Sequence, residues 1–328
     1  MRLPFRTTVS GALISVALSG LLLVLIPVWA IDRLVNGIRT RRRSGSVRPI
    51  ERVSASDLDM AAVMRRGEPV IIEGLASELD LRIAPDLDGF RAVAQEATNT
   101  FKVKVHRAHS PYFLYVGDYG AELERVETMT LDGFLDAMFE DECSADVCIY
   151  RLFGVGDLDG AVGKMIDDLA GALPEVAGRR PDRGASGIWI GSAGVVTPLH
   201  HDAWTGLLFQ MTGSKRVLMF PPSERPNLYF TSPLAARERW SRLPARSDDA
   251  DPEKYPRFGR AMRYEAQLHA DEVLFIPPYW AHEIEALEPN ISIPFRYAAR
   301  PVDHLNPGFL RPAYEIFDHR FLEDRRAG

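Results

Sequence analysis

The residues of this chain best placed to do chemistry are His200 and Asp202, two positions apart in an otherwise apolar run. They belong to the stretch TPLHHDAWTGLLFQMTGSKRVLMFPP, from Thr197 to Pro222, which has the character of strands and turns. Side chains along a strand alternate between faces, so His200 and Asp202 project to one side and His201 to the other. An imidazole and a carboxylate on one face are two corners of a metal site. The later stretch DEVLFIPPYWAHEIEAL offers a third corner in His282, after a strand-like run and a Pro-Pro-Tyr-Trp turn. Two histidines and one carboxylate form the facial set that holds non-haem Fe(II) and leaves positions open for molecular oxygen and a co-substrate. Asp202 in particular wants a cation, because a carboxylate in apolar surroundings is costly unless it is hydrogen-bonded or coordinates a metal.

Taken one at a time, these side chains have plainer readings. A histidine in a strand is commonly a satisfied core or surface group. Lys215, which follows the Thr212-Gly213-Ser214 turn, reads on its own as a hairpin-end lysine reaching solvent. Beside the triad it gains a second reading, an ammonium inside the fold that binds a carboxylate co-substrate chelating the metal.

Such a set has to be held by strands, and the second half of the chain supplies them. Beyond Gly187, short runs (IWIGS, VVTPLHHD, GLLFQMTG, KRVLMFPP, RYEAQLH, EVLFIPP, HEIEALE, ISIPFRY) are separated by Gly, Pro, Asp and Asn. Eight such runs predict an antiparallel double-sheet jelly roll. A polar excursion from Ser223 to Arg260 interrupts them. Before Gly187 the pattern is mixed. Helices are expected after the capping residues Ser54–Asp57, ending at Gly67, and at 90–97, 129–140 and 166–173; strands are expected at 68–73, 100–106 and 147–152. The expected organisation is an N-terminal anchor (1–31), a basic linker (32–49), an α/β part (50–186), the jelly-roll core (187–300) and a helical tail (301–328).

The anchor is read from residues 9–31, VSGALISVALSGLLLVLIPVWAI, which carry no charge and reach the ~20 residues that cross a bilayer as a helix. Five arginines follow this run and two precede it, so the positive-inside bias places the large domain in the cytoplasm, held at the inner cell membrane by a single pass. Cleavage after Val28-Trp29-Ala30 as a signal peptide is the alternative. Residues 1–43 carry +6 and the rest −12 of the net −6, and an acidic domain argues against nonspecific nucleic-acid binding. The only cysteines, Cys143 and Cys148, are too few for a disulfide framework and read as reduced thiols.

With these motifs in place, the chain resembles the cupin-like, Jumonji-C-type family of Fe(II)- and 2-oxoglutarate-dependent oxygenases. Within it, the likeness is to the hydroxylase branch containing the asparaginyl hydroxylase that inhibits hypoxia-inducible factor. The carrying residues are Thr197-Pro198-x-His200-x-Asp202 followed by Gly-x-Lys-Arg and Phe-Pro-Pro, and the run from Asp271, in the family's glycine position, to Trp280 and His282. PVIIEGLA near the start of the domain resembles the family's opening strand, so the likeness covers roughly residues 50–300. It implies a double-stranded β-helix with flanking helices and iron on His200, Asp202 and His282. It also implies a salt bridge from Lys215 to the distal carboxylate of 2-oxoglutarate, with a hydrogen bond from Thr197. Tyr150, in CIYRLF, matches a tyrosine that helps hold the co-substrate in the hydroxylase branch, and reads equally as a core tyrosine of an edge strand.

The implied reaction is hydroxylation of a protein side chain with decarboxylation of 2-oxoglutarate to succinate. Dimerisation through C-terminal helices is a family habit that a single short tail helix supports weakly. This chain departs from the family pattern at Gly206, where Asn is frequent, at Ala281, and at Pro294-Phe295-Arg296, where Asn-Phe-Trp is common. The departures imply altered hydrogen bonding around the co-substrate. Three alternatives stay open: a 2-oxoglutarate-independent metal cupin, a non-catalytic membrane-tethered binding protein, and an RNA hydroxylase.

Overall fold

Short apolar runs buried on both faces make the central strands. In chain order the strands and helices are β1 (Val47–Pro49), β2 (Glu51–Ser54), α1 (Met60–Arg66), β3 (Val70–Glu73), α2 (Leu87–Ala94), β4 (Thr100–Arg107) and β5 (Glu124–Thr130). They continue as α3 (Leu131–Phe139), β6 (Val147–Gly154), α4 (Gly160–Ala172), β7 (Gly187–Gly191), β8 (Val196–His201) and β9 (Thr205–Thr212). The last are β10 (Lys215–Phe220), β11 (Arg263–Leu268), β12 (Glu272–Ile276), β13 (Ala281–Ala286) and β14 (Asn290–Tyr297). The structure is a computed structural model that describes residues 45–78, 85–97, 100–107, 124–139, 147–154, 160–230 and 239–300. The expected anchor at 9–31, Cys143 and the tail beyond 300 lie outside the described residues. Among the described residues, no helix is long and apolar enough to cross a membrane.

Two sheets result. One has nine strands in the order β2-β3-β12-β9-β14-β7-β6-β4-β5, the other five in the order β1-β11-β10-β13-β8. All eight runs expected beyond Gly187 are strands, and along the chain β7 to β14 alternate between the sheets, β10 and β11 alone staying together, as in a double-stranded β-helix. Alternation then assigns faces. From β9, Leu208 points between the sheets while Leu207, Phe209 and Met211 point out of the sandwich; from β10, Val217 and Met219 point in and Leu218 and Phe220 out.

Three apolar layers follow from those faces. The outer face of the nine-stranded sheet is covered by α1 to α4, through Met64, Phe90, Phe134 and Ile166 among others. Between the sheets lie Ile71, Leu208, Val217, Met219, Leu268 and Leu274. The outer face of the five-stranded sheet is covered by the excursion after Pro222, which buries Leu228, Leu243 and Ala261 against Leu199, Leu218 and Phe220.

The helices start and stop where their capping residues dictate. Asp59 accepts a hydrogen bond from the Ala62 amide at 2.9 Å and opens α1, while Gly67 at φ 62° closes it. Asp86 caps α2 through the Gly89 amide at 2.8 Å. Three expectations needed correction. The cap of α1 is Asp59 rather than the Ser54–Asp57 run, whose Ser54 makes no side-chain cap bond. The stretch expected to be helical from residue 129 is strand to Thr130, because Thr128 and Thr130 continue the β4–β5 ladder. The expected linker 32–49 contains a strand, since Val47–Pro49 pairs in parallel with Arg263–Glu265 at the edge of the smaller sheet.

Candidate metal centre

The open end of the sandwich is a cavity lined from both sheets. His200 comes from β8, His282 from β13, Lys215 from β10, Gly206 and Leu208 from β9, and Asn290, Ser292, Pro294 and Arg296 from β14. Asp202 lies one residue beyond β8, where its backbone carbonyl accepts a hydrogen bond from the Tyr279 amide at 2.7 Å. Tyr279 adopts φ 64°, unusual for a side-chain-bearing residue. That turn, with a bond from Trp280 Nε1 to the carbonyl of Gly67 at 3.1 Å, fixes the approach to His282.

Strict alternation along β8 would put Thr197 on the face opposite His200. The register of β8 against β13 breaks instead: His282 pairs with His200, and two residues on, Ile284 pairs with Thr197, three residues back. One extra residue on β8 is a β-bulge, and it turns Thr197, His200 and Asp202 into the same cavity. Pro198, which has no amide hydrogen to leave unpaired, sits in the bulge.

Ligand atoms of His200, Asp202 and His282 all lie within 4.8 Å of one another. His200 Nδ1 lies 2.9 Å from the carbonyl of Pro198, and His282 Nδ1 3.0 Å from that of Trp280. A carbonyl only accepts, so each Nδ1 carries the proton and each Nε2 keeps its lone pair, the tautomer a metal needs. Burial, and secondarily the field of His282, pushes the His200 imidazole down to about 3. Burial likewise lowers His282. Burial alone would raise the Asp202 carboxyl, but His200, Arg296, His282 and Arg239 together hold it below the usual carboxylate range. At neutral pH the set is therefore two neutral imidazoles and a carboxylate, the protonation state that binds a divalent cation. The donor set fits Fe(II).

Lys215 is 8% exposed and its Nζ donates to Ser292 Oγ at 2.5 Å. Among the described residues no carboxylate lies within ion-pair distance of it, and burial pushes the amine down from 10.5 to about 7. Thr197 lines the same cavity. Tyr150 sits in β6 with its backbone paired to Gly191, a cavity-lining residue; its side chain lies outside the described residues.

Several residues without a role assigned from the sequence also reach the site. Trp240 stacks on His200 at 4.4 Å and 16°. It is placed by backbone bonds from the excursion to β8: the Ser241 amide to Leu199 O at 2.9 Å and the His201 amide to Arg239 O at 3.2 Å. Arg239 Nη1 donates to Asp202 Oδ1 at 3.1 Å, and Arg296 Nη2 to Asp202 Oδ2 at 3.4 Å. The alternation of NISIPFRY could have shown Ser292, Pro294 and Arg296 on one face, opposite Ile291, Ile293, Phe295 and Tyr297. No pattern marked Arg239 or Trp240, which lie in an irregular segment.

Comparison with known proteins agrees with this geometry. A family model described as "Cupin-like domain" matches residues 55–302. HSPB1-associated protein 1 of Rattus norvegicus is 38% identical over 111 residues, 33% of this chain and 23% of that protein. Jumonji C domain-containing protein 5 of Drosophila melanogaster is 36% identical over 110 residues, 33% and 26% of the two chains. tRNA wybutosine-synthesizing protein 5 of Gallus gallus is 36% identical over 104 residues, 32% and 30%. The chain thus spans less than a third of the length of these relatives.

Proposed function

Because this chain belongs to the cupin-like domain family, we propose that its cavity is the active site of an Fe(II)- and 2-oxoglutarate-dependent oxygenase that hydroxylates a protein side chain. One observation carries the reading: a buried ammonium, Lys215, with no described carboxylate to pair with, in the same cavity as a two-histidine, one-carboxylate set. Burying an unpaired charge is costly, and a dicarboxylate co-substrate reaching from the metal to Lys215 removes that cost. A metal cupin that works without such a co-substrate would have no use for the lysine.

His200, Asp202 and His282 would hold the iron, and the carbonyls of Pro198 and Trp280 fix the two imidazoles in the ligating orientation. With oxygen and 2-oxoglutarate bound there, the iron would supply the oxidising chemistry, the co-substrate leaving as succinate and carbon dioxide. Lys215 and Thr197 would hold the distal carboxylate, and Ser292 Oγ keeps the ammonium aimed into the cavity. Val195, Leu208, Ile276 and Ile284 exclude water from the same space.

The names of the relatives point to different partners, one to the protein HSPB1 and one to a tRNA. For this chain a protein substrate is supported by the −12 charge of residues 44–328, which disfavours a polyphosphate backbone. The proposal includes a single-pass anchor at residues 9–31, with the catalytic domain on the cytoplasmic side, supported by the arginines that follow the span.

The test is conversion of 2-oxoglutarate to succinate by the Fe(II)-loaded protein, purified without oxygen, in wild type, Lys215→Ala and His282→Ala. Turnover that both substitutions abolish supports the reading. Turnover surviving in either sinks it.

A further inference from the structure

The site carries more positive charge than its chemistry needs. A divalent metal, Lys215, Arg239 and Arg296 would bring five positive charges, against two on 2-oxoglutarate, one of its carboxylates lying on Lys215, and one on Asp202. Two positive charges remain over, because Asp202 is the only acidic residue among the described residues that line the cavity and the only described carboxylate that either arginine reaches.

Both guanidiniums converge on that one group, Arg239 on Oδ1 and Arg296 on Oδ2. A carboxylate carries one negative charge, so Asp202 alone cannot neutralise two arginines and a metal together. Neither arginine is sealed away: their side chains are 40% and 26% exposed. Arg239 is positioned from the excursion by its backbone bond to β8, and Arg296 by its own bond to the carbonyl of Ala185 at 2.9 Å. Directly across from Arg296 in the sheet stands Gly206, which lines the same cavity and places no side chain beside it. Guanidinium groups present a planar fork that matches carboxylates and phosphates.

Resting on the oxygenase reading above, we propose that Arg239 and Arg296 form the specificity determinant of the site. They would dock an anionic group of the substrate, a carboxylate or a phosphate, beside the metal, so that the oxidised carbon lies close to a negative charge. An acidic residue of a protein substrate satisfies this, as does a phosphorylated one.

The test titrates the full-length protein in detergent, loaded with Mn(II) in place of iron and saturated with 2-oxoglutarate. The probes are N-acetyl-aspartate amide, inorganic phosphate and neutral N-acetyl-asparagine amide. At least one anionic probe is expected to bind, more weakly as salt is raised, and the neutral one to bind at least tenfold more weakly. Arg239→Met and Arg296→Met should each weaken anion binding about tenfold or more, the scale of a charged hydrogen bond. If Arg296→Met does not fold, Arg296→Lys, which keeps the charge but loses the fork, should weaken it several-fold. The tighter of the two anions identifies the group. Equal affinity for the neutral probe, no anion binding, or undiminished binding in the variants overturns the proposal. Uptake of 2-oxoglutarate is measured first in the same sample. Its failure would overturn the oxygenase reading, whereas the arginine surplus persists in the empty site, so the anion titration still decides the docking point by itself.

Discussion

At the scale of single residues, the site is a set of protonation states fixed by burial. The two Nδ1–carbonyl bonds decide which imidazole nitrogen is free, so removing a ligand should be felt first in metal content. For His282→Ala, iron bound per chain, measured by elemental analysis after desalting, is expected to fall from about one in wild type to background. A variant that retains stoichiometric iron would refute the assignment. Lys215 makes a pH prediction. Its amine is held at about 7, against 10.5 for an ordinary lysine, so between those values the unfolded chain holds a proton that the folded one lacks. Stability of the metal-free, co-substrate-free protein should therefore rise with pH across that window, with the full penalty present below pH 7. Affinity for 2-oxoglutarate should run the other way, because its carboxylate pairs with the charged amine. It should fall above pH 7 by at most about tenfold per unit, and Lys215→Met should flatten both slopes. Equal slopes in wild type and variant would show that the lysine does not face the co-substrate.

At the scale of elements, the site depends on how two strands depart from regularity. The bulge in β8 brings Thr197 to the same side as His200, and the tight β9–β10 turn delivers Lys215 to the cavity. Gly213 in that turn has φ 72°, and a Cβ there would meet the carbonyl oxygen of Pro289 at 2.2 Å and Cβ of Asn290 at 2.9 Å. No rotamer relieves a clash with backbone. Gly213→Ala should destabilise the protein by about 3 kcal/mol, from positive-φ strain plus overpacking, read as a lowered thermal midpoint, and should displace Lys215. An unchanged midpoint would mean that the turn yields. The excursion is likewise an element of the site: Ser247 N donates to Glu283 at 2.8 Å, and Asp248 accepts from Arg216 and Arg263, both at 2.6 Å, pinning to the smaller sheet the segment that carries Arg239 and Trp240.

At the scale of the whole molecule, the layers divide the work. Helices seal the outer face of the large sheet, the sandwich interior grades from apolar core into the metal site, and the excursion roofs the small sheet and supplies Arg239. The basic, uncharged-core N-terminus is expected to act apart from this body. Full-length protein should sediment with membranes after alkaline carbonate washing, while a chain starting at Ser44 should remain in the supernatant and still bind 2-oxoglutarate. Release of the full-length chain by carbonate would refute the anchor.

How much of this was legible before folding follows from the range of each interaction. Apolar runs and turn chemistry are local, so the eight strands beyond Gly187, the stop of α1 at Gly67, and the pairing of His200 with Asp202 on one face could be read from the sequence, whereas the cap of α1 is Asp59 and not the Ser54–Asp57 run. The same locality made Ser292 and Arg296 readable from their strand. Helix and strand compete over short runs, which is why Met129 and Thr130 were misjudged, and a parallel edge partner more than 200 residues away hid β1 inside an apparent linker. Local patterning was enough to show the fold class and which side chains could bind a metal. That Thr197 shares their face, that Lys215 has no described carboxylate, and that two arginines converge on Asp202 emerged on folding, because a bulge, an unmet charge and a pinned loop are set by long-range packing.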